Sequence, residues 1–453
     1  MPSPTSKRPR SSPPHPPSTL RQTLRFALAL ALDFTDALTL SGGHACGSTY
    51  IFSVRHRDGT DSALPADLPV RLNDVLTAWI AAACKITQVS KDAAVVEAYL
   101  LQRGLSSSLA LMRTRNMGAA PKCNEMSLPD GRSEYRLATF DLLPSLQPLA
   151  DFPFRVSSEV IEGQTMLLLH VGGADAVPLQ PALARAFAEH RAWAATHATP
   201  SIGALNHLLP FGRTQQDYML AAEFRQEHKL AEIAQRVASR PPSHRVRVIA
   251  IAGPTSSGKT TFSHKLCGYL KNHGIHALPL SVDHYYYELN EQPVFKRTGN
   301  REAINYDSFE AMDVPLFNQH LSQLIAGQTV ETPRYNFKTG NRDHPGHTLT
   351  LPPAAVLVME GIHALNPAYT ASVSAEMKFT IFISPLTQLA VDECNAVKTT
   401  SWRLLRRMTR DFLFRGHSAE KTLSMWDRVR EGEGLWIFPH QNTTDYVMNS
   451  CME

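Results

Sequence analysis

Nine consecutive residues, Gly253, Pro254, Thr255, Ser256, Ser257, Gly258, Lys259, Thr260 and Thr261, fit the pattern G-x-x-x-x-G-K-[ST]. Gly253, Gly258, Lys259 and Thr260 take its fixed positions. In such a loop successive backbone N–H groups curl around phosphate oxygens, and glycine permits the dihedrals and the close approach. Lys259 would neutralise the β- and γ-phosphates, and the Thr260 hydroxyl would complete a Mg²⁺ shell. The chemistry implied is binding of a nucleoside triphosphate, with ATP and Mg²⁺ as the expected cofactors.

Two acids stand where a phosphoryl-transfer site needs them. Asp283 closes the apolar run His276 to Val282, and Glu360 closes Ala355 to Met359. Ligands of open parallel sheets bind beyond the carboxyl ends of the strands, so both acids point toward the same crevice. Asp283 suits a base on an acceptor hydroxyl, although a strand-end Asp also serves as a helix cap or turn residue. Glu360 suits a metal ligand, directly or through water. Behind Asp283 come His284, Tyr285, Tyr286 and Tyr287, an aromatic run able to stack on a flat ring. Asp307 and Ser308 precede a helix expected from Phe309 to about Ile325, as caps or as ligand contacts. Pro333 to Arg342 reads as a polar loop carrying Tyr335, with Arg334 and Arg342 near its two ends.

Farther on, Thr399 to Asp411 carries Arg403, Arg406, Arg407 and Arg410, with Arg415 beyond. Helical spacing lets Leu404, Leu405 and Met408 face the protein while the arginines spread over the rest. Guanidinium groups behind a phosphate loop can clamp the transferring phosphoryl group as its charge spreads. A solvated basic face is the plainer alternative.

The elements that must hold these groups follow. Val246 and Val248 to Ala252 form an apolar run suited to a strand buried on both faces. Phe262, Leu266 and Leu270 continue with a helical period stopped near Gly274. Strand, glycine loop and helix aim a helix N-terminus at the phosphates. The expected fold is α/β: a parallel sheet of the P-loop NTPase type with helices on both faces, preceded by an α+β domain. In that first domain, Tyr50 to Val54, Tyr135 to Phe140 and Thr165 to Val171 read as strands. An Asp58-Gly59 turn follows the first of them, and Val70 to Ala82 and Ala93 to Gly104 read as helices. Residues 214–238 read as a packing helix that joins the domains, ended by Pro241-Pro242.

A chain of 453 residues with a formal charge of +4 favours two or three domains and gives no global signal for nucleic acid. The six cysteines form no C-x-x-C and no zinc-like group with histidine, so they read as reduced thiols. No apolar stretch approaches the ~20 residues of a membrane span. Residues 1–25 are rich in Pro and Ser and basic, with no acid before Asp33. A disordered tail, a transit peptide and a nuclear signal all fit them.

Taken in order, several motifs resemble the uridine kinase/phosphoribulokinase group of P-loop kinases over roughly 245–450. They are the glycine loop, Ser281-Val282-Asp283, Pro333-Arg334-Tyr335-Asn336-Phe337, Glu360-Gly361-Ile362-His363 and Thr399-Thr400-Ser401-Trp402-Arg403-Leu404-Leu405-Arg406-Arg407. A closer resemblance is to long uridine kinase-like proteins whose kinase domain follows a threonyl-tRNA synthetase-like region. It rests on Phe337 to Arg342, Arg415-Gly416-His417-Ser418-Ala419, Val429-Arg430-Glu431-Gly432-Glu433 and Ile437-Phe438-Pro439.

The resemblance implies Asp283 as base on a nucleoside 5′-hydroxyl and Lys259 at the phosphates. It also implies Tyr286, Asp307, Tyr335 and Arg342 around the acceptor, Arg403, Arg407 and Arg410 near the phosphates, and Thr260 and Glu360 at the metal. It divides the chain into 1–34 (disordered or targeting tail), 35–205 (synthetase-like), 206–242 (linker helix) and 243–453 (kinase). Asn336 and Gly340 stand where short uridine kinases carry an aspartate and a base-contacting histidine. Ser401-Trp402 stands where an Asp-Thr usually precedes the first arginine. The expected activity is transfer of the γ-phosphate of ATP to the 5′-OH of uridine or cytidine. A sugar-phosphate acceptor and a weakly catalytic ATP-dependent binder, on RNA for instance, are the alternatives. The expected compartment is the cytoplasm, with organelle targeting as the rival.

Overall fold

The computed structural model describes residues 17–36, 38–57, 64–115, 117–172, 181–208 and 212–451. The chain divides into two compact units. The first takes the described residues within 1–179, 190–212 and 388–397; the second takes 180–189, 213–387 and 398–453.

The first unit is α+β. A four-stranded antiparallel sheet runs in the order Leu38–Cys46, Thr49–His56, Gln164–Val171, Phe154–Ile161. A second sheet of three strands joins Ile86–Ser90, Lys122–Ser127 and Ser133–Leu137. The strand and helix expectations for this region hold to within a few residues: Leu68–Ala81 and Ala93–Gln102 are the two helices, and Gly104 turns the second one off at φ +65°. The Asp58-Gly59 turn lies outside the described residues.

One expectation is overturned here. Residues 17–34 of the tail assigned to 1–34 belong to a 20-residue helix, Pro17–Asp36. Leu24, Leu28, Leu30 and Leu32 on it are essentially inaccessible and pack with Phe52, Leu72, Leu76 and Leu169. The Pro/Ser-rich lead hid this, because the apolar run from Phe26 reads as short until the preceding Leu20 and Leu24 are counted with it. At the other end of the unit Glu393 is buried and caps the helix Ser106–Thr114. Its carboxylate accepts from the N–H groups of Ser107 (2.8 Å) and Ser108 (3.1 Å) and from the Ser108 hydroxyl.

The second unit carries a five-stranded sheet with every pairing parallel. Its order is Tyr446–Asn449, Lys378–Ser384, Val248–Ala252, Val356–Glu360, Ala277–Ser281. The first strand in sequence is thus central, and the order reverses beside it, which opens a crevice at the carboxyl ends. Alternate residues of that strand enter different cores. Val248, Ala250 and Ala252 pack with Phe317, Leu321 and Leu324 of the helix Val314–Ile325. Ile249 and Ile251 pack with Phe262, Leu266 and Leu270 of the helix Lys259–Asn272. Helices therefore cover both faces, which is why the strand sequences are apolar without alternation. Leu230, Ile233, Ala234 and Val237 of the helix Gly212–Ala238 join the second of these cores.

Two local expectations are corrected. The helix expected from Phe309 begins at Val314, because Asp313 caps it by accepting from Leu316 N and Pro315 sits in its first turn; Phe309–Ala311 is a separate 3₁₀ turn. The stretch Pro333 to Arg342 is not a free loop but the turn end of a hairpin, Thr329–Asn336 paired with Asn341–Thr350. A register shift between Thr332 and Arg334 accommodates Pro333.

Candidate active site

The glycine loop joins the central strand to the helix Lys259–Asn272. Gly253 is demanded by packing: a Cβ there would sit 1.9 Å from the Ile383 carbonyl oxygen. Gly258 is demanded by conformation, at φ +91°. Ser256 is also left-handed, at φ +59°, a strained state for a residue with a side chain. The hydroxyls of Ser256 and Ser257 are buried without a hydrogen-bond partner among the described residues. Lys259 Nζ donates to the carbonyls of Gly253 (2.9 Å) and Pro254 (3.2 Å). Burial pulls the Lys259 ammonium below its usual pKa, while Glu360 and Asp283 pull it back up. Thr261 is exposed on the first turn. Unpartnered hydroxyls, a lysine and a helix N-terminus in one concave loop fit a polyphosphate.

Register places the acids. Glu360 pairs with Ile251 on one side and Ser281 on the other, so it stands between the loop and the Asp283 strand end. Thr260 Oγ1 donates to Glu360 Oε1 at 3.1 Å, so the two residues expected at the metal meet. Mg²⁺ keeps several waters and needs one or two protein oxygens beside phosphate oxygens, and this pair fits that demand. No group of three or more His, Cys, Asp or Glu side chains able to hold a metal occurs among the described residues.

Asp283 has no hydrogen-bond partner for its carboxylate among the described residues. Burial and the nearby Glu360 charge push its pKa up to about 6, against the opposing pull of Lys259 and Arg415. A Cβ on Gly361 would lie 3.3 Å from Asp283 Oδ1 and 2.8 Å from Val282 Cβ, so the glycine after Glu360 is what lets the two strand ends meet. Asp307 is likewise raised by burial, with Arg407 opposing. The Asp307 Cβ would lie 3.0 Å from a Cβ on Gly432, which gives the Arg-Glu-Gly-Glu motif a packing reason.

Three residues past Asp283, an aromatic cluster begins. The Tyr286 ring lies 5.4 Å from Tyr306, 5.3 Å from Tyr335 and 5.7 Å from Phe337, centroid to centroid. Tyr286 donates its hydroxyl to the Tyr306 carbonyl at 2.6 Å. Arg415 stands 5.9 Å over the half-exposed Phe337 ring. Sequence reading found Tyr286 and Tyr335 but gave no role to Tyr306, in the turn before Phe309–Ala311, or to Phe337, at the tip of the hairpin. Arg342 faces elsewhere: it pairs with Asp313 at 3.0 Å and donates to the Tyr286 carbonyl at 3.2 Å, bracing the wall from outside.

The arginine helix Thr399–Arg410 is rotated from its expected facing, with Leu404 and Met408 only half-buried. Arg403 and Arg407 are buried and Leu405 is 57% exposed. Arg403 is fully enclosed and makes a two-point pair with Glu433, one arm at 2.8 Å, and Arg430 adds a further bond to Glu433 at 2.6 Å. It reaches the loop only through the Thr255 carbonyl at 3.4 Å, so it braces the loop from behind rather than presenting a free guanidinium to phosphate. Arg407 contacts the Thr255 hydroxyl at 3.3 Å and Asp411 at 3.3 Å. Asp411 also receives Arg410 at 2.8 Å and lies 3.8 Å from Arg415. Burial acts to raise the Asp411 carboxyl, and these guanidiniums more than reverse it, holding it below the usual range. One carboxylate among three guanidiniums leaves the cluster cationic.

The family profile described as phosphoribulokinase/uridine kinase matches residues 248–453. The uridine kinase of Lactobacillus helveticus is 28% identical over 202 residues, 44% of this chain and 85% of that protein. The uridine kinase of Erwinia tasmaniensis is 31% identical over 212 residues, 46% of this chain and 88% of that protein. Among solved structures, D-glycerate 3-kinase from Cryptococcus neoformans is similar at TM-score 0.34 and 15% identity, over 52% of this chain and 91% of that one.

Proposed function

Because the chain belongs to the phosphoribulokinase/uridine kinase family, whose members are phosphotransferases with alcohol acceptors, we propose that it moves the γ-phosphate of ATP to the 5′-hydroxyl of uridine or cytidine. The observation that carries this reading is the position of Asp283. Its carboxylate has no hydrogen-bond partner among the described residues, stands at a strand end beside the Thr260–Glu360 pair, and opens a segment that leads into the Tyr286, Tyr306, Tyr335 and Phe337 rings. A planar base suits such a cluster. The acceptor hydroxyl then gives its proton to Asp283, while Lys259 and the Asp411-centred arginines absorb phosphoryl charge. Thr260 and Glu360 would hold Mg²⁺, which would neutralise phosphate charge.

The same reading takes 243–453 as the kinase domain, led by a helical 206–242. It takes 35–205 as a threonyl-tRNA synthetase-like domain, supported by the long-branch motifs of the second half. No helix among the described residues is long and apolar enough to cross a membrane. The compartment we propose is the cytoplasm; the helix Pro17–Asp36 itself belongs to the core of the first unit. No feature of the site calls for RNA.

The test is ADP release by the full chain with Mg-ATP and a panel of nucleosides and sugar phosphates, beside Asp283→Ala and Lys259→Ala. Stimulation by uridine or cytidine, lost in both variants, is expected. Stimulation by sugar phosphates alone would replace the acceptor, and ATP binding with no stimulation by any acceptor would defeat the kinase reading.

A further inference from the structure

Between the strand Lys378–Ser384 and the arginine helix Thr399–Arg410, both in the second unit, residues 388–397 belong to the first. They form a small hairpin. Ala390–Asp392 pairs with Asn395–Ala396, and Val397 N donates to the Leu389 carbonyl at 2.9 Å across the neck. The tip is held by polar side chains that are themselves buried: Asp392 is 7% exposed, Glu393 5% and Asn395 4%. Glu393 accepts from the N–H groups of Ser107 and Ser108 and from the Ser108 hydroxyl. It thereby supplies the cap that the helix Ser106–Thr114 lacks from its own Leu105. Asp392 accepts from the Thr139 hydroxyl, and Asn395 accepts from Gln22 on the helix Pro17–Asp36. A buried carboxylate with charge-assisted bonds is costly to displace, so the tip is a fixed point of the first unit.

Both legs of the hairpin run on to the glycine loop. On one side, Ile383 sets its carbonyl so close to Gly253 that a Cβ there would sit 1.9 Å from it. On the other, the arginine helix begins two residues after Val397. About two turns along that helix, Arg406 donates to the Ser256 carbonyl at 3.0 Å and Arg407 to the Thr255 hydroxyl at 3.3 Å. The two segments that frame the loop therefore share one anchor, and hydrogen bonds and rigid elements connect it to the loop without a break.

We propose that Glu393 is a positioning residue for the nucleotide site: by fixing the hairpin tip in the first unit, it sets the two segments that frame the glycine loop. The link is reciprocal, because a nucleotide that orders the frame must also steady the tip and the helix it caps. The proposal rests on the reading of the loop as a triphosphate site.

The test measures Mg-ATP affinity of the full chain by calorimetry for wild type, Glu393→Ala and Glu393→Gln. Beside it, amide hydrogen exchange over Ser107 to Thr114 is followed with and without Mg-ATP, in wild type and in Lys259→Ala. Glu393→Ala is expected to bind Mg-ATP about tenfold more weakly, within the usual range of coupling between sites. Glu393→Gln keeps an oxygen that accepts from both N–H groups and is expected to stay within about twofold of wild type. Bound Mg-ATP is expected to slow exchange across the capped helix in wild type and to leave it unchanged in Lys259→Ala. A purely structural Glu393 would lower the melting temperature of Glu393→Ala and leave the affinity of its folded fraction at the wild-type value, which would overturn the proposal. Exchange that Mg-ATP does not move in wild type would overturn it too, and that measurement stands even where Glu393→Ala does not fold. Absence of ATP binding in wild type would remove the loop reading and the proposal together.

Discussion

Thr260 and Glu360, one hundred residues apart, meet through a 3.1 Å hydrogen bond at the carboxyl ends of adjacent parallel strands. The bond orders a hydroxyl and a carboxylate before any cation arrives. Glu360→Gln keeps the shape and removes the charge. It is expected to lower turnover roughly 10–100-fold and to raise the Mg²⁺ needed for half-maximal rate, as changes around a metal site do. Chelation of Mg²⁺ is expected to stop wild-type turnover altogether. ADP release across a Mg²⁺ titration checks this, and an unchanged Mg²⁺ dependence in Glu360→Gln would exclude the residue from the metal.

Asp283 links activity to stability with opposite signs. Its pKa is raised to about 6 in the folded chain, from an ordinary value of 3.8. The folded state therefore binds the proton more tightly than the unfolded one. The associated stability is fully present below about pH 4 and is lost as pH rises through about 6. A base must be deprotonated, so kcat/KM is expected to climb with pH and level off above about 6. Asp283→Asn removes the buried charge. It is expected to cut turnover ~10²–10⁴-fold while raising the melting temperature at pH 7 by about 2–4 °C. Differential scanning calorimetry at pH 4 and pH 7 separates the effects, because the gain should vanish at the lower pH.

How much of this was legible depends on how local the signal is. Strand, loop and helix around Lys259 are contiguous, so apolar run, glycine spacing and helical period sit within one window. Asp283 and Glu360 were legible for the same reason, each closing a buried strand. The facing of the arginine helix was not. Leu404, Leu405 and Met408 looked like its buried stripe, and only Glu433 and Asp411, supplied from beyond the helix, make it favourable to bury Arg403 and Arg407 instead. The hairpin at 329–350 was masked by Pro333 and Gly340, which read as loop chemistry until a register shift absorbs the proline. The start of the helix Val314–Ile325 was in the sequence and overlooked: Asp313 two places before Pro315 is a cap followed by a first-turn proline.

The Arg403–Glu433 pair carries its own prediction. Both side chains are about 1% exposed. Truncating one partner leaves the other charged and enclosed, so Arg403→Ala or Glu433→Ala is expected to cost about 3–5 kcal/mol in denaturant unfolding of the second unit. Replacing both, as Arg403→Met with Glu433→Leu, is expected to recover most of that loss, because the pair's desolvation cost disappears with it. Mg-ATP affinity in the double variant should stay within about threefold of wild type, since Arg403 reaches the loop only through the Thr255 carbonyl. An affinity collapse in the double variant, with stability regained, would return Arg403 to the phosphates.

The helix Pro17–Asp36 decides whether the N-terminal part of the chain is structure or address. Leu28 lies at 0% exposure in the core that holds Phe52, Leu76 and Leu169. Leu28→Ala deletes three buried carbons from that core, and its expected cost is about 2–5 kcal/mol of stability, with the spread set by how far the site can collapse. An exposed leader would respond quite differently: surface substitutions typically stay within about ±0.5 kcal/mol. Urea unfolding of a full chain in which Trp79 of the same core is the one tryptophan kept, the other four replaced by Phe in both the reference and the Leu28→Ala protein, reads the difference. A midpoint unchanged from the reference would mean that the segment does not belong to the folded unit.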